Sequence, residues 1–182
     1  QNMRNLIWSL LASLGVVALL VIVVVRPDES LRESVEWEAI AEQAAPDLPG
    51  KPIVPRLSNL WESNRAEVRN EPGADATWSI GFVGPEQSYV FVDQGFGADA
   101  SWVAKRTENH PLTGEVPLGY DRRSDMVWDE YDRQNVDLGG NRAYVLILGL
   151  EDSTIAVGGT NKQGVREVAM DISDQLTQEK NR

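Results

Sequence analysis

The chain has no cysteine and a single histidine, His110. Disulfides, thiol nucleophiles, iron–sulfur clusters, covalently attached haem and cysteine-held zinc are therefore excluded. Multi-histidine metal sites go with them, and an imidazole-based triad has one candidate only. Positive charge is also scarce: 17 Lys and Arg stand against 28 Asp and Glu, a formal charge of −11. Such a chain repels a phosphate backbone, so no nucleic-acid partner is expected. At 182 residues it holds one ordinary domain plus a short appendage.

What is present begins with an apolar run. Residues 6–25 carry no charge, and a helix of ~20 residues covers the ~30 Å of a bilayer's hydrocarbon. They predict a transmembrane helix, with residues 1–5 as its flank and the lipid bilayer as a partner. Signal-peptide cores are shorter, roughly 7–15 residues, and precede small residues at a cleavage point. Here Val23-Val24-Val25-Arg26-Pro27 follows instead, so the anchor is expected to be permanent. Ser9, Ala12, Ser13, Gly15 and Ala18 crowd the first part of the run, whereas residues 19–25 are all Leu, Val and Ile. Small side chains let helices approach closely in lipid, which makes these five the candidate helix-packing positions. Arg4 before the run and Arg26 and Arg32 after it leave its orientation open.

Residues 26–52 form an acidic linker, with Asp28, Glu29, Glu33, Glu36, Glu38, Glu42 and Asp47 against Arg26 and Arg32. Anionic lipid repels such a segment. Within it residues 34–45 predict a short amphipathic helix capped by Ser34 and stopped by Pro46. Trp37, Ile40, Ala41 and Ala44 make one apolar stripe, which can dock on the chain's own domain or on a partner. Residues 48–55 are proline-stiffened and extended.

From there residues 53–178 predict a compact α+β domain with a mainly antiparallel sheet and two packed helices, and residues 179–182 a tail. Trp78, Ile80 and Phe82 alternate with small polar residues, and Tyr89-Val90-Phe91-Val92 follows a Gly84-Pro85 turn, together a hairpin. Residues 62–69 are a weaker strand. Residues 99–107 predict a capped helix, 108–125 a loop, and 126–131, 143–150 and 154–157 three more strands. Thr160-x-x-Gln163 has the form of a capping box, opening a helix to Leu176 with Val165, Val168, Ala169 and Ile172 inward. Three strands and a helix, twice over, hint at a duplicated unit without any residue-level repeat.

Chemistry is sparse. Gly95-Phe96-Gly97 and Gly158 to Gly164 each precede a helix, but neither completes a nucleotide-binding motif. Asp125, Asp129, Glu130 and Asp132 lie close together, and on a strand alternation puts neighbours on opposite faces, as on a solvated edge strand. His110, between Asn109 and Pro111, sits in a loop without a motif-borne nucleophile. Trp61, Trp78, Trp102 and Trp128 suit a small core better than a sugar or lipid pocket. No catalytic, cofactor-binding or metal-binding set is expected.

Met3-Arg4-Asn5, Arg26-Pro27, Leu60-Trp61-x-Ser63-Asn64-x-Ala66, Trp78-x-x-Gly81-x-x-x-Pro85, Tyr89-Val90-x-x-x-Gln94 and Trp102-Val103 together carry a family likeness. The chain resembles an actinobacterial family known as domain of unknown function 4245. The resemblance implies a single membrane helix with the C-terminal domain outside the cytoplasm, and it supplies no catalytic residue. The expected role is a non-catalytic accessory or assembly subunit of a larger membrane complex, contacting other membrane-protein subunits through the helix and the Trp37 stripe. The respiratory cytochrome bc–oxidase supercomplex is a candidate host. The alternative is a membrane-anchored envelope domain that binds a lipid or glycan.

Overall fold

The computed structural model describes residues 7–8, 13–15, 35–119, 126–136 and 140–180. The chain divides into two units, Gln1–Glu33 and Ser34–Arg182. In the first, residues 7–8 and 13–15 are helical, and Ile7, Trp8 and Leu14 expose their side chains. Among the described residues no helix is long and apolar enough to cross a membrane. Most of the predicted span 6–25, including Ser9, Ala12 and Ala18, lies outside the described residues.

The second unit is α+β, built on one seven-stranded sheet in the order β1-β2-β3-β7-β6-β5-β4. Its strands are β1 (Glu62–Arg69), β2 (Ala76–Val83), β3 (Tyr89–Phe96), β4 (Gly114–Pro117), β5 (Val127–Asp132), β6 (Tyr144–Gly149) and β7 (Ser153–Gly159). Every neighbouring pair is antiparallel. Among the described residues three α-helices accompany it: α1 (Trp37–Ala44), α2 (Ala100–Thr107) and α3 (Lys162–Lys180). Alternation along the central strands sorts side chains to two faces. Trp78, Ile80, Phe82, Val90, Val92, Leu146 and Val157 join Val165, Val168, Ala169 and Ile172 of α3 and Ala41 of α1 in the larger core. Phe91, Val145, Ile147 and Ala156 meet Trp102 of α2 in a smaller one on the opposite face.

Helices on opposite faces argue against the duplicated unit. An antiparallel strand pair is related by a two-fold axis normal to the sheet, and such an axis would leave both helices on one face. The second half also carries four strands, because β4 lies inside the expected loop 108–125. It is short, ends at Pro117 and, among the described residues, pairs only with β5, as suits an edge. The acidic strand β5 is consequently interior to the sheet rather than its edge.

The folded unit starts before residue 53, so the linker boundary moves. Leu48 and Ile53 are buried with the core, and Trp37, Ile40 and Ala44 pack against it. The Trp37 ring meets Phe82 edge-on at 5.4 Å, and its indole N–H donates to the Pro55 carbonyl at 3.2 Å. Of the two surfaces open to the Trp37 stripe, the structure uses the chain's own domain. The helix starts at Trp37 rather than Ser34, and the Val35 N–H before it donates to the Ser63 carbonyl at 2.9 Å. Glu36 stands at its N-cap without a side-chain bond. Three helices therefore pack on the sheet, one more than expected.

At the other end α3 runs to Lys180, two residues into the expected tail, and the Glu179 carboxylate pairs with Lys51. Its cap is also displaced by one residue. Asn161 Oδ1 accepts the Gly164 N–H at 2.8 Å, while the Thr160 hydroxyl accepts the Tyr89 N–H at 3.1 Å. The close β3–β7 approach explains the exchange: a Cβ on Gly159 would lie 2.2 Å from the Tyr89 carbonyl oxygen. Asn161→Ala should accordingly cost about 1 kcal/mol, whereas Gln163→Ala should stay within about 0.5 kcal/mol. Urea midpoints of the full chain in mild detergent check this, and equal losses would restore the capping box.

Candidate functional site

Three arrangements of side chains are chemically capable. The first lies beneath α2. Asp99 caps that helix as the sequence predicts, its Oδ1 accepting from Ser101 N at 2.7 Å and Trp102 N at 3.1 Å. The cap aims Trp102 and Arg106, four residues apart, at the sheet. The Trp102 indole donates to Thr77 Oγ1 at 2.9 Å, and the Arg106 guanidinium lies 3.7 Å over its ring. Arg106 Nε donates to Asp93 Oδ2 at 3.1 Å, and its terminal nitrogen pairs with Glu71. Asp93 Oδ1 also accepts from Ser79 Oγ at 2.6 Å and from Arg69 at 2.8 Å.

Burial by itself would raise the Glu71 carboxyl, but hydrogen bonds from Arg106, Lys105 and Thr77 outweigh it and hold Glu71 at about 2 instead of 4.5. A depressed folded pKa contributes stability that is complete above the unfolded value and is lost as pH falls through the folded one. Unfolding followed from pH 6 down to ~2 should show about 2 kcal/mol disappearing below ~4.5 through this group. Glu71→Gln should flatten that part of the profile; an unchanged slope would show that the carboxylate is not held this way.

The second arrangement takes up the acidic crowd on β5. Glu130 Oε1 receives Lys162 at 3.0 Å and Arg166 at 3.0 Å, both from α3, and the Tyr144 hydroxyl as well. Lys162 also reaches Asp132 at 3.2 Å. Among the described residues, cations from the first turns of α3 neutralise Glu130 and Asp132, while Arg122 and Arg123 lie outside the described residues. Burial would raise Glu130, yet the bonds from Tyr144, Lys162 and Arg166 lower it. Burial, and then the bond to Glu130, push the Tyr144 phenol up.

The third is an open cleft of about 660 Å³ between α1, residues 50–56, the β6–β7 turn and the last turns of α3. Ala41, Ile53, Phe96, Leu150 and Leu176 give it apolar walls. Gln94 lies buried at its back and is fully bonded, its Oε1 accepting Ile53 N at 2.7 Å and its amide donating to Ser153 Oγ at 3.1 Å and Lys51 O at 3.3 Å.

None of Trp61, Trp78, Trp102 and Trp128 lines this cleft. Trp78, Trp102 and Trp128 have no exposed surface. Their indoles are satisfied internally, Trp78 by the Ile53 carbonyl at 2.9 Å and Trp128 by Ser173 Oγ at 2.9 Å. His110 is in a loop, its N–H donating to the Thr107 carbonyl at 3.0 Å. Among the described residues no group of three or more His, Asp or Glu side chains converges as metal ligands would.

With this geometry in view, the comparisons are specific on one point. Residues 1–170 match the family model described as a protein of unknown function, DUF4245. The chain belongs to that family. No curated protein and no solved structure matches it significantly. Sequence reading of this DUF4245 member missed the Glu71–Arg106–Asp93 cluster, although two signals were present. An arginine four residues after a buried tryptophan on one helix, and an aspartate inside the apolar run of β3, both point to a buried pair. The packing candidates Ser13 and Gly15 are helical, with nothing within 4 Å of a Cβ placed on Gly15.

Proposed function

We propose that this chain is a non-catalytic accessory or assembly subunit of a larger membrane complex, held by a helix over residues 6–25 with its folded domain outside the cytoplasm. One observation carries the non-catalytic part. In the two ion-pair clusters the titratable groups are spent as struts between helix and sheet, and the shifts found there run away from neutrality. Glu71 and Glu130 are lowered, and Tyr144 and Tyr131 are raised. Asp171 is raised by burial, but its carboxylate serves the Arg56 N–H and the Gln175 amide. A general acid or base working at neutral pH needs the opposite tuning. The membrane part is supported by the uncharged run 6–25 and by the exposed apolar side chains Ile7, Trp8 and Leu14 on its helical portions.

Purification through a C-terminal tag in mild detergent, followed by mass spectrometry, tests the reading. Stoichiometric membrane subunits should accompany the chain, and the respiratory cytochrome bc–oxidase supercomplex is the first host to look for. Changing Ser9 and Ser13 together to Leu should release them by holding the neighbouring helix away, while Val21→Leu with Val23→Leu should not. A chain that purifies alone at matched expression overturns the proposal. The second reading, a membrane-held domain with a small ligand, is favoured by the 660 Å³ cleft, which has the size of a ligand site.

A further inference from the structure

The cleft has a definite electrostatic character. Glu38 and Glu42 line it from α1, and Glu151 and Asp152 from the turn between β6 and β7. Among the described residues none of these four carboxylates has a cationic partner, whereas the Lys51 ammonium is committed to Glu179. Arg56 is the remaining cation on the rim, its backbone N–H bonded to Asp171 Oδ2 at 2.7 Å. Four unpaired carboxylates from two separate elements therefore face one arginine, around walls made of Ala41, Ile53, Phe96, Leu150 and Leu176.

We propose that this cleft binds a small amphipathic cation, an aliphatic body carrying an ammonium group, with the body against the apolar walls and the charge at the carboxylate rim. The inference is independent of any host complex. Three features select this chemistry. An apolar pocket with a few placed polar groups is the usual form of a small-ligand site, and about 660 Å³ falls within the ~300–1,000 Å³ such sites occupy. The rim repels fatty acids and anionic lipid headgroups, and attracts an ammonium over a distance comparable to the Debye length of ~8–10 Å. A glycan needs an aromatic face to stack on, but Trp78, Trp102 and Trp128 are wholly buried and the Phe96 ring is 2% exposed. Close packing supports a fixed shape for the wall: a Cβ on Gly50 would sit 3.0 Å from the Phe96 ring.

The test uses three seven-carbon probes on the full chain in a neutral maltoside detergent: heptylammonium, heptanol and heptanoate. Amide chemical shifts of Gly50, Ile53 and Ser153 report binding. Heptylammonium should bind roughly five- to tenfold more tightly than heptanol, and heptanoate more weakly than either. The preference for the cation should shrink as salt is raised. Glu42→Gln with Glu151→Gln should bring the cation's affinity down to that of heptanol and leave heptanol unchanged. Both positions are exposed, so the fold should persist. Heptylammonium and heptanoate binding equally, the double variant binding the cation undiminished, or no shift at these amides up to the probe's solubility limit would each overturn the proposal.

Discussion

Arg106→Leu should destabilise the domain by about 3–5 kcal/mol, the cost of breaking a buried ion pair from one side. The side chains of Arg106, Glu71 and Asp93 are 2%, 8% and 5% exposed. Without the guanidinium, Glu71 keeps Lys105 and Asp93 keeps Arg69 and Ser79, but neither carboxylate regains water. The stacking of the cation on Trp102 at 3.7 Å is lost as well, worth about 2 kcal/mol where solvent is excluded. Arg106→Lys should recover only part of the loss, because a single ammonium cannot reach both carboxylates and cover the indole. Urea unfolding of the full chain in mild detergent measures this. A loss below about 1 kcal/mol would mean that the cluster is solvated and does not hold α2 to the sheet.

Trp78→Ala should cost about as much, some 3–5 kcal/mol, through the cavity it leaves. The ring has no exposed surface, and its removal also leaves the buried Ile53 carbonyl without its donor at 2.9 Å. Trp37, half-buried at the edge of the same core and bonded to the Pro55 carbonyl at 3.2 Å, should cost less. The same unfolding measurement decides: if Trp78→Ala is nearly neutral, the residue belongs to an open site and not to the core.

The two largest effects fall on residues of very different visibility in the sequence. Trp78 could be read as a core residue because it alternates with Thr77 and Ser79, a period-two pattern that a half-buried strand imposes. The Asp99 cap and the stripe Val165, Val168, Ala169 and Ile172 were legible for the same local reason. Arg106 and Asp93 left only the two local hints named above and Glu71 none, since a charged residue normally marks solvent and pairing across three elements depends on the fold. β4 was hidden by its length, four residues ending in proline, too short for a period to show. The Trp37 stripe was correctly apolar, but periodicity says which face is buried without saying against what. The cleft is the least legible feature, because its walls come from α1, the 50–56 segment, two strands and α3. The path of the proline-stiffened connector past Gln94 makes the hollow, and no local pattern encodes that path.

The strand order has a consequence for how the chain is made. β3 is joined to β7 along Val90 to Gly159 and Phe96 to Ser153, so β4, β5 and β6 must all be synthesised before the middle of the sheet can close. Helix α3, which follows all seven strands, supplies Val165, Val168, Ala169 and Ile172, which cover the Trp78, Ile80 and Val92 face. Non-local pairing of this kind is slow, and it leaves the first hairpin covered only in part, by α1, until α3 has emerged. Truncation before Lys162 therefore leaves the sheet without its α3 cover and prone to aggregation, and only a chain that includes α3 buries this core.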